Sequence, residues 1–190
     1  MLPTDFLHQK FNAALPYPEY VRSGNTSQQD SWRRVYEQAT LTTAQRQLVG
    51  AFERDIKVLV SSGVWCGDCV QQCPLIARIA EANPGRIDLR FVDRDEHADL
   101  AERVTICGGR RVPVVIFMAE DYEAVALAGD RTLSRYRAVA QRQLGPSCPL
   151  PGAPLDPEEM AATLQDWLNE FERVHLLLRL STRLRQKHGD

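Results

Sequence analysis

The sequence is poor in several features that would each point to a function. No apolar run approaches the 18 or so residues of a membrane span. The first twenty residues, MLPTDFLHQKFNAALPYPEY, carry charges throughout and lack the unbroken apolar stretch of a secretory leader. A soluble, intracellular, cytoplasmic protein is therefore expected. Neither sign of charge is in excess: 23 Lys and Arg stand against 25 Asp and Glu, a formal net charge of -2. The basic footprint of a nucleic-acid binder is missing. There are no internal repeats. The four histidines, His8, His97, His175 and His188, are isolated and keep no metal-ligand spacing. Five cysteines is an odd number, which rules out a complete intrachain disulfide framework, and a reducing cytosol keeps most thiols free.

With 190 residues, 44% of them hydrophobic, the chain can bury a full core and reads as one globular domain with appendages. Residues 1–50 read as a peripheral helical extension. NTSQQDSWRRVYEQA places Trp32, Val35, Tyr36 and Ala39 at helical spacing. A second helix is expected from Thr42 or Thr43 to about Arg54, with Leu48, Ala51 and Phe52 inward, and both helices are expected to pack on the domain that begins near residue 51.

From Ile56 the run IKVLV reads as a buried strand, residues 67–82 as a helix, and IDLRFVD as a second strand. A polar helix near 96–104 comes next, then the strands VPVVIFM and EAVALAG and a helix from about Thr132 to Gln143. The order is βαβ followed by ββα, an α/β class. A Pro/Gly-rich linker at 146–156 separates this unit, 51–145, from a C-terminal helix over 157–190. There, Met160, Leu164, Trp167, Phe171, Val174 and Leu178 recur at spacings of four and three. That stripe predicts docking on the N-terminal helices or on a second chain, the latter giving a homodimer.

VWCGDCVQQCP, Val64 to Pro74, gathers three of the five cysteines. Cys66 falls at the N-terminus of the predicted helix, where unsatisfied N–H groups and the dipole stabilise a thiolate. Cys69 comes round one turn and can close a small disulfide with it. A zinc site would need Cys73, Cys107 or a histidine to complete it, and no second C-x-x-C exists. Chance clustering of structural thiols is the other bland alternative to a redox pair. Cys73 reads as a packed thiol, and Cys107 as a third redox partner or a ligand.

These residues resemble the thioredoxin family. WCGDC is similar to W-C-G-P-C, and Pro74 matches the proline that kinks the family's active-site helix. GGRRVP is similar to the family's G-x-R-x-I/V-P loop through Gly108, Arg110, Val112 and Pro113, and Gly129 stands where the family keeps a glycine on the substrate-facing rim. The resemblance covers about residues 50–145. It implies a thioredoxin-like fold, a central mixed sheet flanked by helices, here with extra N-terminal helices and a long C-terminal one.

It also implies a thiol–disulfide oxidoreductase reducing protein disulfides, with Cys66 attacking and Cys69 resolving. Trp65, Val112, Pro113 and Gly129 would bind substrate, and the Val112–Pro113 bond would be cis. No cofactor beyond the redox-active Cys66–Cys69 disulfide is implied, and no metal. Partners would be disulfide-containing proteins and an upstream thiol reductase or small thiol as electron donor, with no nucleic acid or membrane. Arg110 and Arg111 read as solvated residues that favour anionic substrates.

Two positions depart from the family. Val60 stands where it buries an aspartate for proton transfer, and Asp68 replaces its proline. A free carboxylate about 6 Å from the Cys66 sulfur would cost the thiolate about 1.4 kcal/mol at an intermediate dielectric of about 40. Asp68 is thus expected to modulate Cys66, or to stand in as proton acceptor. Two other readings remain: a non-catalytic binding protein using its C-terminal helix, and a metal-binding protein using Cys66, Cys69 and a third cysteine.

Overall fold

The computed structural model describes residues 2–144 and 157–190. The expected linker at 146–156, with Cys148, lies outside the described residues.

β1 (Ile56–Ser62) pairs parallel with β2 (Ile87–Asp93) and antiparallel with β3 (Val114–Met118), which pairs antiparallel with β4 (Ala124–Gly129). The order is β2-β1-β3-β4. β1 is interior, which accounts for the continuous apolar run: all of it except Lys57 is buried. Alternation sends Ile56, Val58, Val60, Val115 and Phe117 into one core, and Leu59, Val114, Ile116 and Met118 into the other.

The expected helical extension forms, but it is not peripheral and contains four helices rather than two. These are α1 (Thr4–Ala13), α2 (Tyr17–Arg22), α3 (Thr26–Gln38) and α4 (Thr43–Gly50). α1 covers the second core with Leu7 and Phe11, and Leu15 bridges antiparallel to Phe91. Tyr20 and Trp32, from α2 and α3, are buried in the first. Capping boxes start α3 at Asn25, with Gln28, and α4 at Thr42, with Gln45. α4 stops at Gly50, so Ala51 is exposed and Val49 takes the inward position.

α5 (Gly67–Glu81) crosses from β1 to β2 over the first core. The polar helix expected at 96–104 is reduced to the single turn α6 (Ala98–Ala101). α7 (Leu133–Leu144) follows β4, and α8 (Pro157–Leu180) runs back across α5, α7 and β4. Every residue of its stripe is buried, and Phe171 meets Phe117 edge-on at 5.1 Å. The docking surface is therefore chiefly the sheet-and-helix unit itself. The stripe is filled within the chain. Ser181 breaks the helix, and α9 (Thr182–His188) is tied to the β3–β4 turn by Lys187 with Glu120 and Arg183 with Asp121. Among the described residues, no helix is long and apolar enough to cross a membrane.

Candidate active site

β1 ends at Ser62, and the chain turns through Gly63 and Val64 to bring Trp65 and Cys66 to the N-terminus of α5. A Cβ at Gly63 would lie 2.7 Å from the Trp65 indole, so a larger residue there would displace that side chain. Trp65 is 47% exposed and carries the Arg94 guanidinium 4.6 Å from its ring centroid, the rim position expected of it. From the other side, the buried Trp32 donates its Nε1–H to the Val64 carbonyl at 2.8 Å. An N-terminal helix thus holds the active-site turn. The sequence shows Trp32 only as one member of an apolar helix face, so this contact could not be read from it.

Cys66 is the N-cap of α5, with extended backbone, and its carbonyl accepts from Val70 N at 2.9 Å. Its Sγ lies 3.8 Å from the carbonyl oxygen of Val112, whose bond to Pro113 is cis, as the motif leads one to expect. Gly129 lies against the same loop. Its φ is +136°, and a Cβ would sit 2.3 Å from the Pro113 oxygen, so only glycine fits. Cys66, Val112, Pro113 and Gly129 are therefore brought to one place.

Cys66 is half-buried and Cys69 fully buried, and both are thiols. The hydrogen bond with Cys69 pushes the Cys66 thiol up, and burial adds to this, while the backbone N–H groups of Cys69 and Asp68 pull it down. The upward direction wins. The helix N-terminus does act on Cys66, as expected, but does not by itself make a ready thiolate of the reduced pair. Burial pushes Cys69 well up.

Asp68 is not the free carboxylate the sequence suggests. Arg131 holds it in a fork, Nε to Oδ1 at 3.0 Å and the terminal nitrogen to Oδ2 at 2.5 Å, and Arg135 adds a contact at 3.4 Å. Its charge is compensated by these two guanidinium groups. Arg135 also reaches Glu159, which Arg142 holds at 2.5 Å. This chain of ions locks the first turn of α5 to α7 and α8.

A second lock sits beside it. Gln72 donates to the Asp130 carbonyl at 2.9 Å and accepts from Thr132 N at 3.3 Å. The Asp130 carboxylate takes Tyr136 and, at 3.2 Å, Arg111. Burial pushes the Asp130 carboxyl up, but these partners outweigh it and hold it below the usual range. Arg111 is thus engaged although exposed, and Arg110 is exposed as well.

The remaining cysteines separate. Cys73 is fully buried one turn after Cys69, and its sulfur lies 3.6 Å from Ser62 Oγ. Cys107 is exposed at φ +51° in a tight turn closed by Ile106 and Gly109. Among the described residues, no group of three or more His, Cys, Asp or Glu is placed to hold a metal ion. Arg131, Asp130 and Ser62 went unseen in the sequence, although a hydroxyl pair closing an apolar strand just before the cysteine motif was a visible signal for the last.

A family model described as Thioredoxin matches residues 14–140, reaching back over α2, α3 and α4, beyond the 50–145 of the motif resemblance. A solved protein of unknown function from Pseudomonas aeruginosa is similar in fold, with a TM-score of 0.70 at 16% identity over 92% of this chain and 97% of that one. An HIV epitope-scaffold gives a TM-score of 0.60 at 19% identity over 88% of this chain and 92% of its own. At such identities these two likenesses bear on the fold alone.

Proposed function

Because the chain belongs to the thioredoxin family, we propose that it is a thiol–disulfide oxidoreductase that reduces protein disulfides through the Cys66-Gly67-Asp68-Cys69 dithiol. The observation that carries the reading is the asymmetric pair. Cys66 is reachable at the N-cap of α5, beside the Val112 carbonyl and the cis Pro113, with Cys69 buried one turn inside.

Cys66 attacks one sulfur of a substrate disulfide, forming a mixed disulfide and expelling the other sulfur as a thiolate. Cys69 then attacks Cys66 Sγ, releasing the second substrate thiolate and leaving a Cys66–Cys69 disulfide. Two electrons pass to the substrate. An upstream reductase or a small thiol restores the pair in a reducing compartment such as the cytoplasm. Backbone at Val112 and Gly129 pairs with the substrate chain, while Trp65 covers its flank.

The test is insulin reduction with dithiothreitol, together with capture of partners from lysate on non-reducing gels. Wild-type protein should accelerate insulin precipitation. Cys69→Ser should strand mixed disulfides and Cys66→Ser almost none. No acceleration, or equal trapping by both variants, would overturn the proposal.

A further inference from the structure

The resolving step needs a thiolate at Cys69, a side chain with 0% exposure, and burial opposes it. Val60, and not a carboxylate, occupies the strand position that faces α5. Strand alternation puts Ser62 on that same face, two residues closer to the dithiol. Ser62 is 0% exposed, and its hydroxyl contacts Cys73 Sγ at 3.6 Å. The groups facing Cys69 are Cys66 and Cys73 from α5 and Ser62 from β1, with Tyr20 from α2 and Asp93 from β2 behind them. The Tyr20 hydroxyl is buried and Ser62 acts on it, so the space behind the thiols is polar.

We propose that Ser62 eases the resolving step by a route other than a carboxylate's: its hydroxyl turns from Cys73 to donate to the Cys69 sulfur as that thiol loses its proton. A hydroxyl has one proton to point, and with Cys73 one helical turn from Cys69 the switch needs a small turn of the Ser62 side chain. Charge-assisted bonds are the stronger ones, so the rotation follows the charge. The direction of the Ser62 effect agrees, since its hydrogen bond pulls the Cys69 thiol down against burial. In the balanced step, the Cys66–substrate bond breaks and the Cys66–Cys69 bond forms. The departing substrate sulfur takes the electron pair and, through solvent at the mouth of the site, the proton that Cys69 gave up.

This inference rests on the oxidoreductase reading, and one experiment separates the two. Reduced protein, in a Cys107→Ser, Cys148→Ser background that serves as wild type here, is mixed with 5,5′-dithiobis(2-nitrobenzoate), a small aromatic disulfide, and release of coloured thiolate is followed in stopped flow across pH. The first equivalent reports attack by Cys66, the second resolution by Cys69. In Ser62→Ala and Ser62→Val the ratio of second-phase to first-phase rate should fall about tenfold, and the second-phase midpoint should rise by about one pH unit. Ser62→Thr, which matches valine in shape but keeps the hydroxyl, should restore both. If Ser62→Val does not fold, the Ala and Thr variants decide. A second-phase midpoint unchanged by Ser62→Ala, or moved equally by Ser62→Thr, overturns the assignment to Ser62. Failure of wild-type protein to release a second equivalent overturns the oxidoreductase reading itself.

Discussion

Cys66 has two opposed influences on it: backbone N–H groups at the start of α5 that favour its thiolate, and the hydrogen bond to Cys69, with burial, that favours the thiol. The largest of these is the bond to Cys69, so it decides the pH at which the reduced pair becomes reactive. Cys69→Ala removes that bond yet keeps the N–H of position 69. The alkylation midpoint of Cys66 with iodoacetamide should then move to lower pH, with a rate at pH 7 about tenfold higher for each pH unit of movement. Mass spectrometry of the modified peptide across pH reads this out, and an unmoved midpoint would mean that Cys69 does not hold the proton. The two cysteines and Pro113 were legible because each is a rare residue type at a fixed spacing. The compensation of Asp68 was not, because Arg131 is 63 positions away and only the fold brings it near.

The elements around the dithiol are held by buried ions as much as by apolar contact. Glu159, on the first turn of α8, has a side chain 8% exposed between Arg142 and Arg135. Burial pushes its carboxyl up, but the two guanidinium groups win and hold it below the usual carboxylate range. A carboxyl depressed in the folded state stabilises the fold at pH above its unfolded value, about 4.3, and that stability is lost as pH falls through the folded value. Glu159→Gln should therefore cost about 3 kcal/mol at pH 7, because it takes from the buried Arg135 one of its two carboxylate partners and from the half-buried Arg142 its own. The gap to wild type should narrow as pH is lowered to about 3.5. Urea unfolding at both pH values checks this, and a gap constant with pH would mean that the ion contacts carry none of the stability. The α8 stripe itself was readable from its period, but its docking surface was not, since periodicity shows which residues turn inward and not what they meet. Likewise α1 and α2 are short, 10 and 6 residues, each with a proline at its N-cap. Helices of that length depend on tertiary contact, and here the contact is the buried face of Leu7, Phe11 and Tyr20.

At the scale of the whole molecule, the segments that composition divides into 1–50, 51–145 and 157–190 share one core. Tyr20, Trp32 and Val49 from the first, Val58, Ile76 and Phe117 from the second, and Trp167, Phe171 and Val174 from the third belong to one continuous buried cluster. Removing any of the three would expose apolar surface on the other two, at about 25 cal/mol for each Å² uncovered, so none can open without unsettling its neighbours. The chain should accordingly unfold in a single cooperative transition rather than shedding its terminal helices first. The three tryptophans make this measurable: Trp32 and Trp167 are buried in the first and third segments, while Trp65 is already 47% exposed at the rim and changes little. Trp32→Phe and Trp167→Phe each leave one buried reporter, in the third segment and in the first respectively. Urea midpoints from fluorescence of these two variants should each coincide with the midpoint from far-ultraviolet circular dichroism of the same variant. If Trp167 fluorescence changed at lower urea than the circular dichroism, α8 would be an independently melting appendage, and its ion lock on α5 would not survive to support the dithiol.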